Sequence, residues 1–519
     1  MKRLLPPALP PAALLLLLPL WPLMVTVAPR SPLAHDAGYY SLQAHWIAAG
    51  GSWLAPLWFG QPLFDRCIGA QWLMALSLRL FPGQDWALGL PALLAAVISL
   101  PLCGWLAWRL LPGDRGGRPR RAAVAMAVLA LTPLWIDHAH LATQDMLLLA
   151  VELAGLAGLL ASEPQGRGGG ALLAIAPFLL LERRWLLRRK AFWLGLALGW
   201  LPVLLWLGLS LQRFGLETVS GLWTKLLFLS GSDVYAAGPF YYLWNIPANT
   251  APWSLAALAG WPLLARSGIG RAQRLVLLLY PLLLLVLLSS FRTKTPYYGL
   301  QLTPWIALAA TMALERWSCT LQPAVRRLDQ LIALLGGLLL LAAALALWPA
   351  SPLNAALAAS SGLPPLPVLA GSAAALGAAW LLLPLQSTRP RRLIVLLLGP
   401  WLALVLLNQS GLFSDRSPAM RRSLEAAPLR ALLRQAPVQA AASAPLSGDD
   451  HARLILLALA TPAPPDQLLA PAAVPGGQRV WIRRPELPAA EAWRILYGAP
   501  ALGDWVLAER SLRQAGSPP

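Results

Sequence analysis

Carboxylate and imidazole side chains concentrate in two short stretches of this chain, residues 35–85 and 137–145. The histidines there are His35, His45, His138 and His140, and the carboxylates are Asp36, Asp65, Asp85, Asp137 and Asp145. Carboxylates and imidazoles can take a proton from a reacting group, and both can bind metal ions. Burial of such ionisable groups next to apolar membrane segments costs free energy. Their concentration therefore predicts a site at one membrane face, and the alternative is a set of ordinary loop charges.

The histidines of the second stretch are weak candidates for a metal site. His138 and His140, together with Asp36 or Asp145, could bind a divalent cation. The sequence offers no third ligand close to the two histidines, so loop histidines without a metal are the favoured interpretation. The three cysteines lie far apart and form neither a metal-binding spacing nor a disulfide framework. No cofactor is predicted, and a divalent cation is left open.

Membrane helices are the elements that must position these groups. The chain has 519 residues, of which 57% are apolar and 12% are charged, and the apolar residues occur in long runs. Runs of about 20 apolar residues span a bilayer. This composition excludes a soluble enzyme, a fibrous protein and a disordered chain. The net charge of +19 fits basic cytoplasmic loops better than nucleic-acid binding.

Hydropathy predicts eleven membrane spans. The first runs from Leu4 to about Val27, and its length and prolines favour a helix over a cleaved signal peptide. The others lie near Leu88–Leu111, Ala122–Trp135, Met146–Ala161, Phe192–Leu211, Pro252–Ala265, Leu275–Ser290, Leu300–Leu314, Leu328–Trp348, Leu366–Leu383 and Leu393–Leu407. The apolar piece Ala171–Leu181 is too short to cross. It is interpreted as a cytoplasmic-side or re-entrant segment, or as the remnant of a lost helix pair.

Basic clusters set the orientation of these spans. Every cluster falls in an alternate loop, which assigns that side, together with the N-terminus, to the cytoplasm. The carboxylates and histidines described above then lie on the outer side, in the segments 30–86 and 136–145. The segments 212–251 and 291–298 lie on the same side.

The C-terminal part of the chain has a different composition. From residue 408 to 519 it is more polar and is interrupted by Pro, Gly and Ser. Val480–Arg483 and Trp505–Ala508 have the pattern of short strands. We therefore predict an all-α polytopic membrane domain over residues 1–407, with a first outer loop at about 30–86. A small extracytoplasmic α/β domain is predicted over 408–519.

The order of residues in the first outer loop resembles that of a known family. Asp36 follows the first span, and Tyr39–Ala49 and Ala70–Phe81 have the pattern of two amphipathic surface helices. Between them lies a Gly-x-Trp-x-x-Pro loop, Gly51 to Pro56, which leads to Phe64-Asp65-Arg66. This order resembles the membrane glycosyltransferases that use polyprenyl-phosphate sugars. They have the GT-C fold and include the protein O-mannosyltransferases and the bacterial lipid A aminoarabinose transferase.

Later segments extend the resemblance over about residues 1–310. Residues 133–145, which end at Asp145, are similar to the family's second loop, and Phe291–Tyr298 is similar to its Lys-x-x-Tyr-Tyr segment. Several positions depart from the family pattern. Ala37 stands where members often have Glu, Arg66-Cys67-Ile68 replaces the usual Lys-Pro-Pro, and Gly89 replaces an Arg.

The resemblance implies a reaction and roles for particular residues. A polyprenyl-phosphate sugar carries a good leaving group, so the reaction needs a base for the acceptor hydroxyl and cations for the departing phosphate. Asp36 is implied as the base, which gives inversion at the sugar carbon. Asp145 would orient the acceptor, the base or the sugar, or would only face the helix dipole. The implied phosphate-binding residues are Arg66, Arg292, Lys294, Tyr297 and Tyr298.

The resemblance also implies partners and a location, and alternatives remain. The expected partners are a polyprenyl-phosphate sugar donor, a lipid A, glycan or protein acceptor and membrane lipids, without nucleic acid, at the cell inner membrane. The tyrosines could instead be interface anchors. One alternative function is a transporter or flippase of lipid-linked sugars, which would favour charges near mid-membrane. Another is a non-catalytic scaffold with a decayed site, and a polymerase or ligase of surface polysaccharide fits less well.

Overall fold

The computed structural model describes residues 17–161, 186–231, 235–319, 323–359, 365–443, 445–487 and 493–511. The expected segment Ala171–Leu181 and most of the first expected span lie outside these ranges. The helices up to the middle of the chain are α1 (Leu17–Met24), α2 (Tyr39–Ala48), α3 (Gly69–Leu80), α4 (Leu90–Leu110), α5 (Arg118–Ala130), α6 (Pro133–Ala139), α7 (Asp145–Ala161), α8 (Lys190–Phe214) and α9 (Glu217–Gly231). They are followed by α10 (Tyr241–Thr250), α11 (Trp253–Arg266), α12 (Arg271–Ser290), α13 (Thr303–Cys319), α14 (Pro323–Leu347), α15 (Pro352–Ala359), α16 (Leu366–Leu381) and α17 (Arg389–Gln409).

A helix is present at each of the ten spans expected after the first. Within the described residues, six helices are long and apolar enough to cross a membrane: α4, α8, α12, α14, α16 and α17. A seventh span results if α5 and α6, which are bent by 70° at their junction, are taken as one. Helices α7, α11 and α13 are shorter than 18 residues. The chain is therefore a multi-pass membrane protein, and the total of eleven spans stays a prediction.

Small residues allow the membrane helices to pack closely. Helix α11 packs along α13, and a Cβ atom added at Gly260 would lie only 1.8 Å from the carbonyl oxygen of Ala309. Gly336 of α14 and Gly377 of α16 approach each other in the same way. Helices in lipid associate through such close backbone contacts because lipid tails remove the hydrophobic driving force between them.

We expect the substitution Gly260→Val to destabilise the bundle. Its side chain would meet the backbone of Ala309, and overpacking of this kind costs about 1–3 kcal/mol or more. Thermal unfolding of the purified protein in detergent would show a lowered apparent Tm. Gly208→Val is the matched control, because a Cβ atom at Gly208, also inside a helix, meets nothing within 4 Å. Equal losses in both variants would mean that helix propensity, rather than the contact with α13, sets the effect.

The first outer loop is a folded layer. A short π-helix (Ala34–Gly38) leads into α2, which is followed by the hairpin of β1 (Leu57–Trp58) and β2 (Gln61–Pro62) and then by α3. The apolar side chains Leu73, Leu76 and Leu80 of α3 are exposed, as expected for a helix at a membrane surface. Most side chains of α2 are buried, however. The helix predicted at Tyr39–Ala49 is therefore present, but it does not lie on the surface.

The C-terminal part forms an α/β unit, which confirms the predicted class. Its helices are α18 (Pro418–Leu424), α19 (Ala427–Gln435) and α20 (Gly448–Ala460), and its strands are β3 (Val438–Ala441), β4 (Leu468–Leu469), β5 (Arg479–Arg483), β6 (Trp493–Gly498) and β7 (Trp505–Arg510). The strand order is β4-β3-β5-β7-β6. Strand β3 runs parallel to β4 and β5, and β7 runs antiparallel to β5 and β6. The two strands predicted from the sequence are β5 and β7.

This C-terminal unit packs directly on the first outer loop and explains why α2 is buried. Helix α20 contacts both the π-helix and α2, and a Cβ atom at Gly38 would lie 2.8 Å from Cγ2 of Ile455. The indole Nε1 of Trp46 donates a hydrogen bond to the carbonyl oxygen of Pro465 at 3.2 Å. The hydroxyl of Ser31 donates to Asp415 at 2.5 Å. The unit is therefore a cap on the outer loop, and we call it the cap below.

Candidate functional site

The two predicted site carboxylates come from helix ends in distant parts of the chain and lie close enough for their charges to interact. Asp36 lies in the π-helix, and Asp145 is the first residue of α7. Both side chains are half-buried. A carboxylate in the first turn of a helix is stabilised by the positive end of the helix dipole. Single π-turns are frequent at functional sites, where they alter the direction of a side chain.

The two carboxylates influence each other electrostatically. Burial raises the pKa of Asp36, and the negative charge of Asp145 raises it further. The charges of Arg66, His138 and His35 act in the opposite direction. Like charges in one site disfavour ionisation, and the raised pKa brings a carboxylate closer to the range in which it exchanges protons efficiently. Asp36 is therefore suited to accept a proton from a bound molecule.

Arg66 is held in one orientation next to this pair. Its Nε and Nη2 atoms donate to the two carboxylate oxygens of Asp65 at 3.0 and 2.6 Å. Its guanidinium group lies 4.7 Å from the ring centroid of Tyr39 and 4.8 Å from that of Tyr40. Bidentate pairing and cation–π contacts together restrain a planar group that would otherwise be flexible. The site thus contains a pre-oriented positive charge whose field reaches Asp36.

Tyr297 and Tyr298 complete the cluster from a short 3-10 helix (Pro296–Leu302). Burial raises the pKa of Tyr297, and the charge of Asp36 contributes to the rise. Burial also raises the pKa of Tyr298, with a contribution from Asp145. The ring of Tyr297 lies 5.7 Å from that of His138. Both phenols therefore remain protonated and can donate hydrogen bonds to an anionic group.

Lys294 and Arg292 lie in the same outer segment but make different contacts. The Nζ atom of Lys294 donates to the carbonyl oxygen of Ser289 at 2.9 Å and to that of Phe291, so it covers the C-terminal end of α12. The residue is buried, and burial lowers the pKa of its ammonium group. Arg292 is exposed. The contacts of Lys294 are thus with the helix end, whereas Arg66 and the two tyrosines interact electrostatically with the carboxylates.

The two histidines that were weak metal candidates make hydrogen bonds to backbone carbonyl groups. Nδ1 of His138 is 3.0 Å from the carbonyl oxygen of Leu134, and Nε2 of His140 is 2.9 Å from that of Leu23. Burial lowers the pKa of His140 to about 4. The part of the chain that the structure describes has no group of three or more His, Cys, Asp or Glu side chains placed to hold a metal ion.

A cavity of about 300 Å³ lies between the first outer loop and the cap. Ala37 and Ser41, on either side of the start of α2, form part of its wall. Its charged lining residues are Arg30, Arg416, Arg421, Arg430, Asp85 and Glu425. Cationic groups outnumber acidic ones in this lining, and a concave surface lined by one sign of charge concentrates ions of the other sign.

Several residues of the site could not be identified from the sequence patterns. The sequence pattern predicts a surface helix for Tyr39 and Tyr40 and does not report their contact with Arg66. Their position directly after the Asp36 motif is a signal that could have indicated them. Arg416 forms an ion pair with Asp137 although 279 residues separate them, and no local sequence pattern reports such a contact.

The comparison with solved structures identifies the fold class of the chain. It is similar to the crystal structure of ArnT from Cupriavidus metallidurans bound to undecaprenyl phosphate, with a TM-score of 0.72 and 16% identity over 98% of this chain and 99% of that one. The apo structure of the same protein gives a TM-score of 0.64 and 17% identity over 96% and 97% of the two chains. The predicted polytopic membrane fold with a C-terminal α/β unit is therefore confirmed as an ArnT-like fold.

A comparison with curated sequences points in the same direction. A stretch of 176 residues is 27% identical to the undecaprenyl phosphate-alpha-4-amino-4-deoxy-L-arabinose arabinosyl transferase of Edwardsiella ictaluri. This match covers 29% of the present chain and 31% of the relative's length. No protein-family model matches the chain. The resemblance drawn from the first outer loop is thus confirmed by an independent sequence match and by the fold.

Proposed function

We propose that the chain is an integral-membrane glycosyltransferase that moves a sugar from a polyprenyl-phosphate donor to an envelope acceptor. The acceptor classes are lipid A, a polysaccharide or a protein, and transfer takes place on the outer face. The observation that carries the proposal is that Asp36, Asp145 and the restrained Arg66 interact electrostatically within an ArnT-like fold. The name of the similar curated protein describes a transferase of a sugar carried on undecaprenyl phosphate, which agrees with this chemistry.

The proposed reaction is a direct displacement with Asp36 as the base. The acceptor hydroxyl gives its proton to the Asp36 carboxylate, and its oxygen forms a bond to the anomeric carbon of the sugar. The bond between that carbon and the phosphate oxygen breaks, and polyprenyl phosphate leaves with the electron pair. One displacement inverts the anomeric configuration. Asp145 orients the acceptor or the sugar and, through its charge, helps to raise the pKa of Asp36.

The cations and phenols of the outer segments would stabilise the leaving phosphate. Arg66 supplies a fixed positive charge, and Tyr297 and Tyr298 donate hydrogen bonds, so that these groups need little reorganisation during the reaction. Lys294 and Arg292 are proposed to bind the same phosphate from the end of α12. For Lys294 this requires an exchange of its two carbonyl contacts for phosphate oxygens.

The acceptor is proposed to approach through the cavity on the side of the cap. That cavity borders Ala37, which follows the proposed base in the sequence. In this arrangement the N-terminus is cytoplasmic, and residues 408–519 lie outside the inner membrane as a separate domain after the transmembrane domain 1–407. The basic clusters of the alternate loops support this orientation.

The alternative functions have less support than the transferase. A transporter of lipid-linked sugars needs charged groups near mid-membrane. In α7 the acidic Glu152 does lie within the membrane segment, but it is hydrogen-bonded to the hydroxyl of Tyr280. A non-catalytic scaffold does not require an arginine restrained beside a carboxylate pair. Among the described residues, no group of three Asp, Glu, His or Cys side chains is placed to bind a divalent cation.

Mass spectrometry of the cell envelope tests the proposed function. Lipid A, surface polysaccharide and envelope glycoproteins would be compared between cells with the native chain and cells with Asp36→Asn at equal abundance. We expect the variant to lose one fixed sugar mass from one of these acceptors, which names the sugar class and the acceptor together. An unchanged envelope with unchanged lipid-linked sugars would contradict the transferase and favour the scaffold.

A further inference from the structure

A row of ring contacts joins the cap to the restrained arginine of the site. The imidazole of His451 in α20 meets the indole of Trp58 edge-on, with 4.9 Å between the ring centroids. Trp58 is stacked on the buried phenol of Tyr39, with the centroids 5.0 Å apart and 21° between the ring planes. The guanidinium group of Arg66 lies over the same Tyr39 ring, 4.7 Å from its centroid. Direct side-chain contacts therefore run from the cap to Arg66.

The tyrosine rings determine where Arg66 lies relative to the proposed base. Asp65 directly precedes Arg66 in the sequence, so their bidentate pair orients the guanidinium group within its own loop. Tyr39 and Tyr40 belong to α2, which begins shortly after Asp36. Their contacts with Arg66 connect its loop to α2. A displacement of the Tyr39 ring would therefore release the guanidinium group on the side of the base.

The hairpin that contains Trp58 has an unfavourable backbone conformation in its turn. Trp58 pairs with Gln61, so Phe59 and Gly60 form a two-residue turn, and their φ angles are 45° and 81°. Asn-Gly is a preferred sequence for a turn with two positive φ angles, and a bulky residue there is strained. Such strain persists only where the surrounding structure determines the conformation, and it is concentrated at functional sites.

Packing on two sides determines the conformation of this turn. Phe59 is buried, and its ring centroid lies 5.4 Å from that of Trp46 in α2. On the other side, a Cβ atom at Gly60 would lie 3.0 Å from the carbonyl oxygen of Asp466 in the cap. The turn is thus enclosed between α2 and the cap, and this enclosure sets the direction of the Trp58 indole.

We propose that Trp58 is a positioning residue of the reaction, which holds Tyr39 and, through this ring, the guanidinium group of Arg66 in the orientation that binds the leaving phosphate. The cap supports this arrangement through His451. The inference rests on the proposed function, since that function gives Arg66 its role at the phosphate. The sequence pattern assigns no role to Trp58 or to His451.

The substitution Trp58→Leu tests the inference on the full-length protein in lipid nanodiscs, with the donor and acceptor that the envelope comparison identifies. Leu keeps an apolar side chain but removes the ring on which Tyr39 is stacked, so Arg66 spends less time in the productive orientation. The contribution of one aromatic pair corresponds to a loss of about two- to tenfold in kcat, and the acceptor KM should not change. Trp58→Phe keeps an aromatic face and should retain most of the activity.

The same substitution in an Arg66→Lys background separates positioning from a purely structural role. If Trp58 acts through Arg66, its replacement should lower kcat little further once the arginine is absent, because the effects of coupled residues do not add. On the side of the cap, His451→Ala should give a smaller loss of kcat than Trp58→Leu. His451→Phe, which keeps a ring against the indole, should restore the native kcat.

Trp53→Leu is the matched control in the same outer loop. The guanidinium group of Arg79 lies over the Trp53 ring, 5.1 Å from its centroid, so the substitution removes an equivalent contact between an aromatic ring and an arginine. Arg79 has no proposed role at the phosphate. The control should therefore leave kcat within about twofold of the native value.

The possible outcomes separate this inference from the proposed function. Equal losses of kcat from Trp58→Leu in the native and the Arg66→Lys backgrounds, or a lowered Tm with unchanged kcat, would show that Trp58 does not act through Arg66. A raised acceptor KM with unchanged kcat would make Trp58 part of a sugar-binding surface, and the positioning role would be wrong. In each of these cases the transferase stands. If the wild-type chain transfers no sugar from any polyprenyl-phosphate donor, the proposed function fails, and the inference fails with it.

Discussion

The variant Asp36→Asn should lose nearly all transfer activity and remain folded. Asn has the same shape as Asp but cannot accept the proton of the acceptor hydroxyl. General-base catalysis contributes about 10²–10⁴-fold to a rate, so kcat should fall by about that factor. Turnover can be measured as release of free polyprenyl phosphate from the donor, once the envelope comparison has identified the sugar.

The same variant should be at least as stable as the native chain. Because burial and Asp145 raise the pKa of Asp36, the native state binds this proton more tightly than the unfolded chain does. Stability contributed by this group therefore falls as pH rises between the unfolded and the folded pKa values. A neutral Asn removes the cost of the ionised carboxylate above that window. The apparent Tm at neutral pH should be unchanged or higher, as is common when a functional charge is removed.

Asp449→Asn is the matched control for Asp36→Asn. Asp449 is an exposed carboxylate in the first turn of α20, on the cap. The variant should retain transfer within about twofold, as expected for a surface substitution. Full transfer by Asp36→Asn would assign the proton to another group, and a collapse of its Tm would turn the loss of activity into a folding effect.

The positions of the carboxylates could be predicted because the sequence pattern reports them directly. Asp36 and Asp145 each lie at the end of an apolar run, and the distribution of basic loops places both ends on the same side of the membrane. Helix positions followed from the same runs, since hydrophobic length and backbone hydrogen bonding leave few alternatives in a membrane. The two carboxylates therefore lie near each other because the membrane spans that carry them end on the same side.

The contacts of the cap could not be predicted, because they join residues far apart in the sequence. The pattern of α2 suggested a helix with one solvent-facing side, but α20 covers that side through residues such as Ile455. The position of Lys294 shows a second limit. Sequence order places its ammonium group in the outer segment, but the open carbonyl groups at the end of α12 determine what it contacts.

The substitution Arg66→Lys should behave almost like a loss of the residue, although it keeps the charge. Lys cannot pair with both oxygens of Asp65 in a fork, and its compact ammonium group is more strongly hydrated and makes weaker contacts with Tyr39 and Tyr40. The positive charge would therefore no longer be pre-oriented towards the position where negative charge develops on the departing phosphate. Loss of one pre-oriented group of this kind costs about 10²–10³ in kcat.

Arg79→Lys gives this experiment its control within the same outer loop. Arg79 of α3 also lies over an aromatic ring, that of Trp53 at 5.1 Å, and donates to the carbonyl oxygen of Ala48 at 3.1 Å, but it is not among the main charges that shift the pKa of Asp36. Its replacement should change kcat by no more than about twofold. If Arg66→Lys retained the native rate, a point charge would suffice for the leaving phosphate. The bidentate pair of Arg66 with Asp65 and its contacts with the two tyrosine rings would then stabilise the loop and not the transition state.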